Sequence, residues 1–292
     1  MNNLVYLDEA LSFLNESDQD LSSLYEAYAM EFDNEANLFE SYVLEDGNPS
    51  KLKAFADKAV IFIKKVIASI KHAIERMIIN INRIRSSMIS KYASNMIKNI
   101  NMKDETVIRV ISSTKLLSTS QFNSVFEPLV SDCSDFFEEY KGFVKDMGNK
   151  SKKNDTNVSK KLDKFSDTYD KYDKKYGEFK EKYNTVLSNK QAIPAYLAHN
   201  IKWFLAISDN KNIKDLIFAS KGIDEIANKA IKFISSEGDI EDYKTATSLI
   251  MKSTSLFNRY MIFITGITAN MASDILVVAR AIKKNSDKFE SK

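Results

Sequence analysis

Residues 53–100 read KAFADKAVIFIKKVIASIKHAIERMIININRIRSSMISKYASNMIKNI, and their spacing decides the fold class. Apolar side chains fall at Ala56, Val60, Ile63, Ile67, Ile70, Ile74, Met77, Ile81, Ile84 and Met88, in steps that alternate four and three. On an α-helix this spacing gathers all ten onto one stripe, the heptad seam of long packed helices. Neither Gly nor Pro occurs between Pro49 and Pro128. A continuous helix over these 48 residues would reach about 70 Å. The other faces carry Lys53, Lys58, Lys64, Lys65, Lys71, Arg76, Arg83, Arg85, Lys91 and Lys98 against only Asp57 and Glu75. One side therefore asks for an apolar partner, and the remainder is strongly basic.

Working back from this helix, residues 1–50 hold twelve acids and no Lys or Arg. Leu4, Leu7, Leu11 and Leu14 form a short helical stripe. A second runs from Leu21, Leu24, Tyr25, Tyr28 and Phe32 to Phe39 and Val43. Asp46-Gly47-Asn48-Pro49-Ser50 is a stop and turn signal. Residues 1–46 thus read as an acidic amphipathic segment whose nearest complement is the basic helix after it, since opposite charges flanking an apolar seam steer and orient docking. A mobile or removable leader is the competing reading. No basic region precedes the acids, so a secretory signal is not expected.

Working forward, Asp104 can cap a short helix, and Ser120 another that carries Phe122, Phe126, Leu129, Cys133, Phe136, Tyr140 and Met147, with Pro128 bending it or splitting it near Glu127. Gly148–Thr156 is polar and free of large apolar residues, and reads as a linker. A second seam follows at Leu162, Phe165, Tyr169, Tyr172, Tyr176, Phe179, Tyr183 and Val186. An aromatic stripe can stack nucleobases, but strict three-and-four spacing favours a helix–helix seam. Pro194 opens an apolar helix through Ile207, and Asp209 precedes an amphipathic one from Ile213 to Ile234 that Gly238 ends. Ile240–Ile282 reads as two helices or one bent helix, broken at Asn258 or Gly266. Within it, Tyr260–Ser273 has no charge. A membrane span needs about 18 apolar residues, and Thr, Asn, Ser and Asp274 interrupt this run, so a buried core helix is expected.

The chain has seven Gly and three Pro in 292 residues, too few for the tight turns of a barrel, sandwich or doubly wound sheet. The expected fold is all-α, an elongated helical bundle with two long heptad-patterned helices. Its expected organisation is an acidic segment at 1–46, a basic long helix and short helices at 51–147, a linker at 148–158 and a C-terminal helical bundle at 159–292.

Chemistry-bearing residues are sparse. Cys133 is the sole cysteine, which excludes an intrachain disulfide framework and fits a reducing compartment or an apolar structural position. His72 and Glu75 share a helical face, but one such pair supplies too few ligands for a metal. His199 falls in an apolar helix and fits a satisfied core position. The trios Asp132, Asp135, Glu139 and Asp163, Asp167, Asp170 lack the oxygen spacing of a calcium loop. No phosphate loop, nucleophile elbow, HExxH or CxxC pattern occurs. Neither a catalytic residue nor a cofactor is expected.

The candidate interaction surface is therefore the basic side of the first long helix: Lys64, Lys65, Lys71, Arg76, Arg83, Arg85 and Lys91. Such a surface can meet acidic protein, a nucleic-acid backbone without sequence preference, or an anionic membrane. The scarcity of Arg speaks against specific nucleic-acid readout, and the acidic block upstream would repel anionic lipid. Other protein subunits in a homo- or hetero-oligomeric assembly are the expected partners.

The opening Met1-Asn2-Asn3-Leu4-Val5-Tyr6-Leu7-Asp8-Glu9-Ala10-Leu11, its acidic amphipathic continuation, the Lys/Asn/Ile bias and the missing catalytic motifs resemble an internal or head-associated structural protein of large tailed bacteriophages. That resemblance implies a non-enzymatic structural or assembly role, as a virion component or in the host cytoplasm. It also implies an N-terminal segment used in delivery or assembly and sometimes removed by a maturation protease. Tyr260–Ala279 gives a second resemblance, to long-helix pore-forming proteins, which implies a membrane-associated alternative.

Overall fold

The computed structural model describes residues 49–86, 119–149, 158–188, 211–220, 222–236 and 240–286. Among them are six helices and no strand: α1 (Pro49–Ser86), α2 (Thr119–Asn149), α3 (Val158–Ser188), α4 (Lys211–Ser220), α5 (Ile223–Ile234) and α6 (Ile240–Ser286). The described residues form an all-α bundle. The 1–46 segment, His199 and the helix expected after Pro194 lie outside the described residues.

The bundle is arranged around α6. From Met251 to Asn270 every residue except Lys252 and Arg259 is buried, so this part of the helix is enclosed on all sides. A helix so rich in Thr and Ser is helped to tolerate enclosure by threonine hydroxyls that bond to its own backbone. Thr254 donates to the Ile250 carbonyl at 2.7 Å and Thr268 to the Thr265 carbonyl at 2.8 Å. The Thr265 hydroxyl sits 2.7 Å from the Met261 carbonyl and 3.1 Å from the Ala73 carbonyl of α1, so its one proton is shared between two helices. Neither Asn258 nor Gly266 breaks α6. The helix runs unbroken for 47 residues because packed neighbours, rather than intrinsic propensity, hold it.

Three helices line α6 in defined directions. α2 runs antiparallel: the Tyr140 and Thr254 hydroxyls meet at 2.7 Å, Phe137 stacks on Phe257 at 4.6 Å between centroids, and the Cys133 thiol lies 3.9 Å from the Met261 sulfur. α3 pairs with α2 as an antiparallel hairpin, with Phe143 stacked on Phe165 at 4.0 Å and Phe136 5.3 Å from Tyr172. It also lies along α6, where the Tyr260 hydroxyl donates to the Tyr172 carbonyl at 2.8 Å and Arg259 pairs with Asp173. α1 makes the most extensive contact with α6 and runs parallel to it, since Asp57 acts on Tyr243 at one level and Ala73 meets Thr265 further along.

All eight residues of the aromatic stripe in α3 are buried or half-buried, which makes it a packing seam. In α1 the buried face is wider than the stripe: Ala59, Phe62, Val66 and Ala73 are buried with Ile63, Ile67, Ile70, Met77 and Ile81, while Val60 and Ile74 sit half-buried at its margin. α1 meets both α6 and α5, and two neighbours bury a broader arc than one. Buried residues on both sides of the 150–157 connection belong to one continuous core.

Two further expectations are corrected. Pro128 does not split α2, which continues from Thr119 to Asn149. Proline cannot donate to the carbonyl four residues back, here that of Ser124, and the Lys182 ammonium of α3 donates to that oxygen at 2.7 Å instead. Lys182→Met should therefore cost about 1 kcal/mol or more in the parent chain and distinctly less in a Pro128→Ala background. A double-mutant cycle in urea reads the difference. The second correction is at 213–234, where one amphipathic helix was expected. α4 ends at Ser220 and α5 restarts after Gly222, whose carbonyl accepts the first bond of the new helix from Ile226 N–H.

Enclosure also sets the alkaline behaviour. Burial raises the phenol pKa of Tyr140, Tyr172, Tyr243 and Tyr260, and Asp132 adds to the effect at Tyr172 and Tyr260. In the unfolded chain these phenols ionise near pH 10. Above that value the unfolded state sheds protons that the folded state keeps, so their contribution is intact below about pH 10 and is lost as pH rises further. The unfolding free energy read from urea curves should hold steady to about pH 9 and then fall as pH is raised toward 11, chiefly through Tyr140 and Tyr260, each contributing at most about 1.4 kcal/mol per pH unit.

Candidate interaction surface

The side of α1 turned away from α6 combines charge with exposed apolar surface. Lys53, Lys58, Lys64, Lys65 and Lys71 are exposed and Arg76 is half-buried, against exposed Asp57 and Glu75. Among these, Ile61 is 55% exposed and Ile79 is 43% exposed. They stand eighteen residues apart, which is five full turns, so they share one line along the helix about 27 Å long. Half-buried Ala68 lies between them on nearly the same line. Lys58, Lys65 and Arg76 run along one flank of it, and Lys64 and Lys71 share the other with Asp57 and Glu75. An apolar line with more cations than anions beside it suits an amphipathic, acidic partner.

Of the seven residues expected to form the surface, Lys64, Lys65, Lys71 and Arg76 are thus brought together on α1. Arg83 and Arg85 occupy its last turn, and Lys91 lies outside the described residues. Lys71 also holds a 2.6 Å ion pair with Asp224 of α5. With both partners well exposed, such a pair adds at most about 1 kcal/mol. Ile61 and Ile79 were not singled out from sequence. Two isoleucines off the buried stripe, in phase after five turns, were the available signal.

The other candidates resolve as structure. Cys133 is fully buried beside Met261, and burial, with Asp132 adding to it, raises its thiol pKa. A thiol kept protonated is a poor nucleophile. Asp132 is taken up by Lys175 at 2.6 Å. Asp135, Glu139, Asp163, Asp167 and Asp170 are exposed, and among the described residues no three potential ligands come together to hold a metal ion. His72 is half-buried and Glu75 exposed. Phe218 of α4 is 75% exposed, with no other exposed large apolar residue on α4 or α5 among the described residues.

One buried polar group escaped sequence reasoning. Asn258 on α6 is completely enclosed, and neither its amide oxygen nor its nitrogen has a hydrogen-bond partner among the described residues. Its neighbours on α6 face α2 through Phe257 and α3 through Arg259. Among the described residues no helix is long and apolar enough to cross a membrane, and Tyr260–Asn270 faces protein rather than solvent. Neither a protein-family model, a curated protein nor a solved structure matches the chain.

Proposed function

We propose that the chain is a non-enzymatic structural or assembly protein that acts through protein–protein contact, with the outer face of α1 as its principal contact surface. The observation that carries this reading is the in-phase pair of exposed isoleucines bordered by lysines, because apolar side chains held in line on a charged, exposed helix face suit contact with an amphipathic partner. The role envisaged is a virion-associated component of a large tailed bacteriophage, in keeping with the opening sequence and the Lys/Asn/Ile bias. In that setting packaged nucleic acid would be a non-specific second partner of the same cations.

The membrane-acting alternative is disfavoured, since the uncharged span it would use is enclosed by α1, α2 and α3. Sedimentation of the chain from its native source tests the proposal. It should travel in a particle or complex far above its own 33.3 kDa, and Ile61→Glu with Ile79→Glu should release it. A chain that sediments as a free monomer in every fraction overturns the reading.

A further inference from the structure

We propose that the outer face of α1 takes an amphipathic α-helix of a partner protein, acidic along its middle and carrying a base at each end of one edge. The proposal rests on the reading of that face as a contact surface and names the partner's chemistry. Its basis is a cassette that α1 presents twice. Asp57-Lys58 precedes Ile61, and Glu75-Arg76 precedes Ile79 with the same spacing. The two cassettes are eighteen residues apart, which is five full turns, so acid, base and isoleucine each point the same way in both. Asp57, Lys58, Ile61, Glu75 and Ile79 are exposed and Arg76 is half-buried. In each cassette the acid lies on one side of the isoleucine line and the base on the other.

Between the cassettes the face is purely cationic. Lys64 and Lys71 on the acid-bearing flank and Lys65 on the other are exposed, and no anion occurs between Asp57 and Glu75. Half-buried Ala68 near the isoleucine line leaves a low point between two large side chains, where a bulky residue of an opposing helix can seat. Complementarity then defines the occupant. It has acids along its middle and a large apolar residue over Ala68. At each end it has a base to meet Asp57 or Glu75 and an acid to meet Lys58 or Arg76. A second copy does not fit. Parallel pairing of the isoleucines sets Lys64 against Lys65 of the other copy, and antiparallel pairing sets the flank of Lys58, Lys65 and Arg76 against itself. A nucleic-acid backbone gains nothing from the isoleucines and is repelled by Asp57 and Glu75.

The experiment is a specificity swap on the full chain. Two fluorescently labelled synthetic helices of about 20 residues share a leucine stripe and a glutamate middle; one carries lysine at both ends of one edge, the other glutamate. Anisotropy titrations should show the parent chain binding the lysine-ended helix about tenfold more tightly. Asp57→Lys with Glu75→Lys should reverse that preference, and Ile61→Ser with Ile79→Ser should weaken both complexes by about tenfold. All four positions are exposed, so the fold holds and the urea midpoint stays unchanged. Absence of binding, a preference that the charge reversal leaves as it was, or equal binding of a shuffled peptide overturns the proposal. A DNA duplex that displaces the helix at physiological ionic strength also overturns it and assigns the face to nucleic acid. Sedimentation from the native source asks only whether the face makes contacts, so that reading and the partner's chemistry fail independently.

Discussion

Ile264→Asp leaves the chain without a stable native bundle at neutral pH. Ile264 has no exposed surface and lies in the stretch of α6 that protein encloses on every side. A carboxylate placed there loses its water and gains no cation, because the only charged side chains between Met251 and Asn270 are Lys252 and Arg259, and Arg259 is already paired with Asp173. The cost exceeds about 4 kcal/mol, a large share of the roughly 5–15 kcal/mol that holds a domain together. Desolvation raises the pKa of the introduced carboxyl in the folded state, so the neutral acid fits better than the carboxylate. The penalty relative to the parent chain should therefore be greatest at neutral pH and shrink as pH falls toward about 4. Circular dichroism and urea midpoints at the two pH values check this. A variant as stable as the parent at neutral pH would contradict the enclosure of α6. Loss of liposome association in this variant would report an unfolded core, not a lost membrane contact.

Phe257→Ala should destabilise the bundle by about 3–5 kcal/mol. Phe257 is completely buried and its ring stacks on Phe137, so truncation opens a void at the α2–α6 seam and removes an aromatic pair. The next residue should respond with the opposite sign. Asn258→Leu removes an amide whose two polar atoms are buried without partners among the described residues, at nearly the same volume. It is therefore expected to stabilise by about 1–3 kcal/mol, the desolvation penalty of such a group. Ile61→Ala, on the exposed line of α1, should stay within about 0.5 kcal/mol of the parent. Urea denaturation with an unchanged m-value for all three variants gives a direct ranking. A Phe257→Ala cost no larger than that of Ile61→Ala would refute the packing described for the seam.

The long helices were legible because their periodicity is a local property. The aromatic stripe of α3 and most of the α1 stripe follow from steps of three and four. The scarcity of Gly and Pro pointed to an all-helical chain for an equally local reason. What escaped depends on residues far apart in sequence. Pro128 reads as a break until Lys182, 58 positions away in the hydrogen bond it makes to Ser124, takes over the orphaned carbonyl. Asn258 and Gly266 read as breaks until three neighbouring helices hold α6 straight. The reverse error at Lys221–Gly222 has the same origin, because an amphipathic pattern can run through a turn without changing phase. For the interaction surface, the lysines of α1 were identifiable by charge. The ion pair of Lys71 with Asp224 was not, since the two residues belong to helices far apart in the chain.

The wrapping of α6 by helices that precede it has a consequence for the order in which the molecule can be built. Thr265 and Ala73 meet across 192 positions of chain, and Cys133 and Met261 across 128. Loops of that length close late. At a synthesis rate of about 5–20 residues per second, α1 leaves the ribosome roughly ten to forty seconds before its principal partner has been made. Until α5 and then α6 have been made, its apolar face lacks its native companions, and the nascent chain is most exposed to aggregation.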